Sequence, residues 1–240
     1  MTGPFYDDLA ATYHLMFADW DASMARQAEV LDGLLSGRST ILDCACGIGT
    51  QAIGLAARGH DVIGTDLSPV AAARAQVEAG ARGTRLSTAA ADMRALPFAD
   101  RTFDVVMAAD NAVPHLLTAA DVVLALREMR RVLRPGGRLV LTTRDYDSIR
   151  REHPLSTPPQ VSETEIGRVI TFQLWHWHVD GERYDLEHFQ LHEGTTMVRT
   201  ATYWALTRAE LTALVAEAGF VDITWPDTAF FQPVLSASTG

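Results

Sequence analysis

The chain has 240 residues, 48% hydrophobic and 21% charged, with mean hydropathy +0.03; that balance excludes a disordered polymer and suffices for one substantial core. A formal charge of −10 and a pI near 5.2 repel polyanions, so nucleic acid is not an expected partner. Two cysteines, Cys44 and Cys46, one residue apart, suit neither a disulfide framework nor a four-ligand zinc site.

The start, Met1 to Trp20, carries Asp7, Asp8 and Asp19 without the basic and apolar regions of a leader. No uninterrupted apolar run reaches the ~18 residues that cross a bilayer. A cytoplasmic setting without a membrane partner is expected. Residues 1–30 read as a helical segment closing as a lid, with Tyr6, Tyr13, Phe17 and Trp20 as its aromatics and Tyr13 as the candidate nearest the chemistry. The plainer alternative is an amphipathic helix burying aromatics in the ordinary way.

Strand-like apolar runs follow at Thr40–Cys44, Asp61–Thr65, Arg85–Ala89, Phe103–Ala108 and Arg138–Thr143, separated by stretches of helical length rich in alanine and arginine. This β-α-β-α order predicts a mainly parallel, Rossmann-like sheet covered on both faces. Ser68-Pro69 reads as N-cap and N1 of a helix, Thr118 with Asp121 resembles a capping box, and Pro135-Gly136-Gly137 stops the helix ending near Leu133. Arg127, Arg130, Arg131 and Arg134 read as the solvated face of that helix. A last capping box, Thr207 with Glu210, opens a helix that runs to Gly219, followed by strands at Val221–Trp225 and Phe230–Leu235.

Between Arg144 and Thr207 helix signals disappear, and Arg168–Val179, Arg183–Leu191 and Met197–Ala205 read as strands. They predict an antiparallel β insertion over residues 150–206, placed over the end of the main sheet. His176, His178, His188 and His192 raise a metal hypothesis. If Asp180-Gly181 is a two-residue turn, however, Val179 pairs with Glu182, His176 stands opposite Asp185, and Gln173 opposite His188. His188 then faces away from His176 and His178, and no metal is expected. Its face gathers Trp175, Trp177, Tyr184 and Leu186, for packing or for roofing a substrate.

In a parallel sheet the ligand crevice lies at the strand C-termini, and the first strand runs into Asp43-Cys44-Ala45-Cys46-Gly47-Ile48-Gly49. Glycines allow close backbone approach, and the next helix presents its first N–H groups. Gly47, Gly49 and Ala52 also fit the dinucleotide pattern, so their spacing leaves the cofactor open. Asp43 separates the readings: a carboxylate opposes a pyrophosphate but suits the ammonium and sulfonium of S-adenosyl-L-methionine. Asp66, followed by Leu67, is placed for ribose hydroxyls; Ala91-Asp92-Met93 for adenine; Asp110 and Asn111 for the transfer point. Singly, each acid also reads as an ordinary turn residue.

The sequence resembles class I S-adenosylmethionine-dependent methyltransferases over nearly its whole length, with Asp43–Gly49 similar to their D-x-x-C-G-x-G motif and Leu133-Arg134-Pro135-Gly136-Gly137 to their segment before strand five. More narrowly it resembles glycine and sarcosine N-methyltransferases: Asn111-Ala112-Val113-Pro114-His115-Leu116 is similar to N-S-x-A-H-L, and Arg144-Asp145-Tyr146-Asp147 to R-N-Y-D. The resemblance implies a seven-stranded fold, S-adenosyl-L-methionine as cofactor, and a small-molecule acceptor, an amine such as an amino acid. It implies that Arg144 pairs with the acceptor carboxylate and that Asn111 positions it; Tyr146 lies in the matched R-N-Y-D segment, His115 reads equally as a contact or as a satisfied structural histidine, and Tyr13 joins the substrate side from the lid. A surface ion pair with Asp145 or Asp147 is the structural alternative for Arg144.

Other readings stay open: a small-molecule O-methyltransferase or sugar-amine N-methyltransferase with His115 as base, an NAD(P)-dependent oxidoreductase, or a non-catalytic protein that kept the cofactor fold. Asp110-Asn111-Ala112-Val113 replaces the N-P-P-Y type segment of many DNA and glutamine amino-methyltransferases. The oligomeric state is undetermined, a homodimer being one option.

Overall fold

A computed structural model describes residues 3–164 and 167–240. Positions 1–2 of the expected lid and 165–166 of the expected insertion lie outside the described residues. Seven strands form the main sheet: β1 (Thr40–Asp43), β2 (Asp61–Asp66), β3 (Ser87–Ala90), β4 (Phe103–Ala108), β5 (Leu133–Thr142), β10 (Val221–Thr224) and β11 (Val234–Ser238). Their order is β10-β11-β5-β4-β1-β2-β3, parallel except where β11 runs antiparallel to β5 and β10. The chain leaves β1 toward β2 on one side and returns to β4 on the other, which opens the crevice at the C-terminal end of β1.

Helices α2 (Trp20–Asp32), α3 (Thr50–Ala57) and α4 (Pro69–Ala81) cover one face, and α5 (Ala119–Val132) and α7 (Arg208–Glu217) the other. Ser68 caps α4 through the Ala71 N–H with Pro69 at N1, and Thr207 with Glu210 forms a reciprocal capping box on α7. Thr118 caps α5 by accepting from the Asp121 N–H. α2 and α3 approach so closely that a Cβ on Gly54 would stand 2.8 Å from the Ala28 methyl and the Met24 carbonyl. Gly54→Ala is therefore expected to destabilise the fold by about 1–3 kcal/mol, measured as a drop in Tm, despite alanine's better helix propensity.

The expected helix stop at Pro135-Gly136-Gly137 has a different form. α5 ends at Val132, and the chain enters β5 at once, running through Pro-Gly-Gly with an irregularity opposite Phe103–Val105. The arginines of α5 tie it to neighbouring loops: Arg131 bonds Glu128, Asp100 and the Leu96 and Phe98 carbonyls, and Arg130 the Gly219 carbonyl. The last strand lies later than the expected Phe230–Leu235, because Phe230 packs into the core from a loop while Leu235 and Ala237 supply the inward residues of the strand.

A second, four-stranded antiparallel sheet contains β6 (Gln160–Thr164), β7 (Gly167–Trp177), β8 (Arg183–His192) and β9 (Thr195–Trp204), in that order. The expected register holds, with His176 opposite Asp185 and Gln173 opposite His188. The turn itself is wider than two residues: β7 stops at Trp177, the Gly181 N–H closes on the His178 carbonyl, and the Asp180 carboxylate takes the Glu182 and Arg183 N–H groups. An Asx-type turn thus replaces the tight hairpin without shifting the pairing. Two further elements escape local signals, the edge strand β6 and the seven-residue helix α6 (Tyr146–Glu152), whose Tyr146 is buried. β6 is held by its antiparallel pairing along β7 and α6 by the burial of Tyr146, rather than by propensity.

Candidate functional site

The strand ends open into a cavity of about 990 Å³. Its floor is the loop after β1, which contributes Ala45, Cys46, Gly47 and Ile48. Gly49 caps α3 in the left-handed region (φ 98°), where a Cβ would meet Ile53 Cδ1 at 2.7 Å, so the bend admits only glycine without strain. Gly47 (φ 51°) has open space where a Cβ would stand. Asp66 fixes the loop to the end of β2: its Oδ2 accepts from the Gly47 N–H and its Oδ1 from the Ser68 N–H, each at 2.8 Å.

Asp43 lies beneath this loop, fully buried, with Oδ1 accepting from the Ala45 N–H at 3.3 Å and Oδ2 without a hydrogen-bond partner among the described residues. Burial, with the neighbouring Asp66 charge, pushes its pKa up to about 7; burial also raises that of Asp66, against the pull of its two N–H donors. Two adjacent buried carboxylates, one oxygen unpartnered, suit a cationic ligand and oppose a pyrophosphate. S-adenosyl-L-methionine, whose amino-acid end carries an ammonium, fits this donor set. Leu67, Ala91, Asp92, Met93 and Asp110 continue the lining. Asp92 is gripped by Arg94 in a bidentate pair that also reaches Asp121, so its carboxylate is already oriented by a cation that sequence reading overlooked.

At the end of β4, Asp110 and Asn111 both adopt left-handed backbone (φ 53° and 68°), a conformation short polar side chains tolerate best. Thr142 on β5 holds this bend, its Oγ1 accepting from the Asp110 N–H at 2.8 Å and its carbonyl from the Asn111 N–H at 3.1 Å. The bend turns Asp110 toward the cavity, where Tyr13 OH donates to Oδ2 (2.8 Å) and Gln232 Nε2 to Oδ1 (3.0 Å). Gln232 sits on the loop before β11 and had no local signal; only the return of that antiparallel strand beside β5 brings it here.

Helix α1 (Gly3–Ala10) and the 3₁₀ turn Tyr13–Met16 cover this end. Tyr6 OH lies 2.7 Å from His115 Nε2, and Tyr6, Tyr13 and His115 line the cavity. Burial and the Arg144 charge push the His115 pKa down to about 3, so the imidazole is neutral at pH 7. The opposite wall comes from the small sheet, His176 on β7, Asp185 and Glu187 on β8 and Thr200 and Thr202 on β9; the sequence pointed to His176 and Asp185 only as a cross-strand pair.

Asp43, Gly49, Asn111, Arg144 and Tyr146 are not in this lining. The Arg144 guanidinium lies 5.0 Å from the Trp175 ring and 5.5 Å from that of Tyr203, bonding Tyr184 OH and Gln173 Oε1 at 3.3 Å each. The alternative ion pair with Asp145 or Asp147 is not formed; Asp147 stands 3.5 Å from Arg208. Among the described residues no carboxylate lies within ion-pair distance of Arg144. Asn111 joins the two regions, donating from Nδ2 to Tyr146 OH and accepting the Arg144 N–H at Oδ1. The inner face of the small sheet therefore packs Trp175, Tyr184 and Leu186 against Phe5, Leu9 and Tyr146.

The histidines of the small sheet divide by face, His176 and His178 beside Glu187 and Asp185, His188 buried on the other side. Among the described residues, no group of three His, Cys, Asp or Glu side chains is placed to hold a metal ion, and no helix is long and apolar enough to cross a membrane.

Residues 41–137 match the family model described as a methyltransferase domain. Among curated relatives, a glycine/sarcosine N-methyltransferase of Parasynechococcus marenigrum is 36% identical over 137 residues, 55% of this chain and 48% of that protein. A demethylmenaquinone methyltransferase of Thermus thermophilus is 36% identical over 141 residues, 57% of this chain and 62% of that protein. The chain thus spans between about half and three fifths of the length of these relatives. Solved structures cover nearly all of it: DesVI of Streptomyces venezuelae superposes with TM-score 0.78 at 18% identity over 97% of this chain and 98% of that one. CalS10 of Micromonospora echinaspora, an amino pentose methyltransferase with bound S-adenosylmethionine, gives 0.74 at 22% over 96% and 95%. These structural likenesses establish the fold.

Proposed function

From a chain that carries a methyltransferase domain over residues 41–137, we propose S-adenosylmethionine-dependent methyl transfer to a small-molecule amine. The observation that carries this reading is the pair of adjacent buried carboxylates, Asp43 and Asp66, under a glycine loop at the switch point of the sheet. When bound, the cofactor supplies an electrophilic methyl group on a positively charged sulfur. Asp43 answers the cationic amino-acid end, Asp66 with Leu67 the ribose, and Ala91, Asp92 and Met93 the adenine.

On the acceptor side, Asp110 is held by Tyr13 and Gln232 and offers an oriented anion to an amine. A neutral amine already carries its lone pair, so catalysis rests on positioning and on the exclusion of water by Tyr6 and Tyr13. His115, with a pKa near 3, is a weak proton acceptor at pH 7, which favours an amine over an alcohol. Arg144, which has no carboxylate within ion-pair distance among the described residues, supports an amino-acid-like acceptor whose carboxylate it pairs with, as the resemblance to glycine and sarcosine N-methyltransferases implies.

A second reading, a sugar amine, draws support from the hydrogen-bonding wall of Asp185, Glu187, Thr200 and Thr202 and from the name of the amino pentose methyltransferase. Turnover of glycine or sarcosine against amino sugars separates the two. The cofactor is tested by calorimetric titration with S-adenosylmethionine and S-adenosylhomocysteine beside NAD and NADP; binding confined to the nicotinamide cofactors overturns the proposal.

The reading of Asp43 also predicts a pH dependence. The cation binds the ionised carboxylate, so donor affinity should be full above pH 7 and fall by up to about tenfold per unit as pH drops below it. In the free protein the raised pKa acts oppositely: the fold is favoured while Asp43 is protonated, and stability is lost as pH rises from the unfolded value through about 7. Asp43→Asn should therefore raise Tm at pH 8 while weakening S-adenosylmethionine binding; a variant with unchanged affinity at pH 8 would remove Asp43 from the site.

A further inference from the structure

The inner face of the small sheet carries a polar row that packing does not explain. Gln173 on β7, His188 on β8 and Arg199 on β9 stand directly opposite one another across three strands. His188 is 2% exposed, yet among the described residues neither ring nitrogen has a hydrogen-bond partner, and neither has Nε2 of Gln190, which is 1% exposed and two residues along the same strand face. Buried polar groups are ordinarily paired, so this gathering of unpaired groups is itself an observation to account for.

The row has a guanidinium at each end. Arg144 reaches it through Gln173 Oε1 at 3.3 Å. Among the described residues Arg199 bonds neutral acceptors, Gln190 Oε1 at 3.2 Å, the Asp8 carbonyl at 3.1 Å, Thr12 Oγ1 at 3.3 Å and Met197 Sδ at 3.5 Å. Both charges act on His188. Among the described residues, no carboxylate lies within ion-pair distance of either arginine. Two half-buried guanidinium groups flanking an unpaired imidazole and amide, in a chain of net charge −10, form a donor-rich site complementary to an oxyanion.

We propose that Arg199, His188 and Gln190, continued by Gln173 and Arg144, form an oxyanion-binding site on the inner face of the small sheet, taking a carboxylate or phosphate group. It shares Arg144 with the acceptor reading above but does not depend on methyl transfer. An incoming oxyanion competes with the Asp8 carbonyl and the Thr12 hydroxyl for Arg199, so its entry is tied to movement of the segment holding α1 and the 3₁₀ turn.

The test is titration of the full chain with malonate and with inorganic phosphate at constant ionic strength, followed by calorimetry and by the imidazole signals of isotopically labelled histidine. The expected result is binding with Kd of about 1 mM or tighter and a perturbed His188 resonance. Arg199→Gln and His188→Gln should each weaken it at least about tenfold, and Arg199→Lys less, because lysine keeps the charge and loses the fork. S-adenosylhomocysteine binding retained by each variant certifies its fold. No heat and no His188 perturbation with either anion, or variants that bind as the parent does, overturns the proposal. Malonate binding in a chain that binds no S-adenosylhomocysteine would defeat the methyltransferase reading and leave this site standing. Displacement of malonate by a methyl acceptor assigns the anion to the acceptor itself, and simultaneous binding to a separate effector; both outcomes keep the site.

Discussion

An Asp66→Ala protein is expected to bind S-adenosylhomocysteine at least about 100-fold more weakly than the parent, because the substitution removes two kinds of contact at once. The carboxylate holds the glycine loop through the Gly47 N–H and the start of α4 through the Ser68 N–H. Each oxygen keeps a second lone pair, and these are the acceptors available to the ribose hydroxyls. Hydrogen bonds to a charged group contribute about 1.5–3 kcal/mol each, so losing two ribose contacts alone corresponds to about 3–6 kcal/mol, or ~10²–10⁴ in affinity. Asp66→Asn keeps acceptor capacity on one oxygen and should fall between. Calorimetry measures both, with Tm as the control for folding. Parent-like affinity in Asp66→Ala would mean that Asp66 is only the turn acid that its place before Leu67-Ser68-Pro69 also suggests.

For the acceptor the largest expected effect is at Arg144. Arg144→Lys should raise KM for a carboxylated amine by about 10–100-fold, and Arg144→Met by more, with S-adenosylhomocysteine affinity within about twofold of the parent. Methionine preserves much of the stem against Trp175 and Tyr203 while removing the charge, so it separates recognition from packing. Lysine cannot reproduce a planar fork that bonds Tyr184 OH, Gln173 Oε1 and an incoming carboxylate together. If both variants lose Tm but keep KM, Arg144 is a structural cation of the aromatic box, and the acceptor recognised is the hydroxylated one suggested by Asp185, Glu187, Thr200 and Thr202.

The two arms of the candidate site were unequally legible in the sequence. The cofactor arm is local: Asp43, Gly47 and Gly49 share one loop, Asp66 and Asp92 end successive strands or the loops after them, and the alternation of strand and helix brings their positions to one edge. The acceptor arm is not. Tyr13 and Gln232 meet on Asp110 from opposite ends of the chain, and Thr202 arrives from an edge strand of the second sheet. No spacing rule links such positions, because the contacts come from strand order and sheet packing. Arg94 was missed for a simpler reason: an exposed-looking arginine in a loop reads as solvated until its partners Asp92 and Asp121 are seen beside it.

By itself the sequence determined the mainly parallel sheet, the caps at Ser68 and Thr207, the glycine loop and the register of β7 on β8. Each follows from a period, a turn residue or a φ requirement acting over a few residues. Only the tertiary structure decided that Arg144 would sit against the Trp175 and Tyr203 rings instead of facing Asp145 or Asp147. It alone buried His188 without a hydrogen-bond partner among the described residues and put Asp185 and Glu187 on the cavity wall. Those outcomes depend on which face of the small sheet meets α1 and the main sheet, a choice made by total apolar burial over Phe5, Leu9, Tyr146, Trp175, Tyr184 and Leu186 together. Burial summed across distant segments leaves no periodic trace in any one of them.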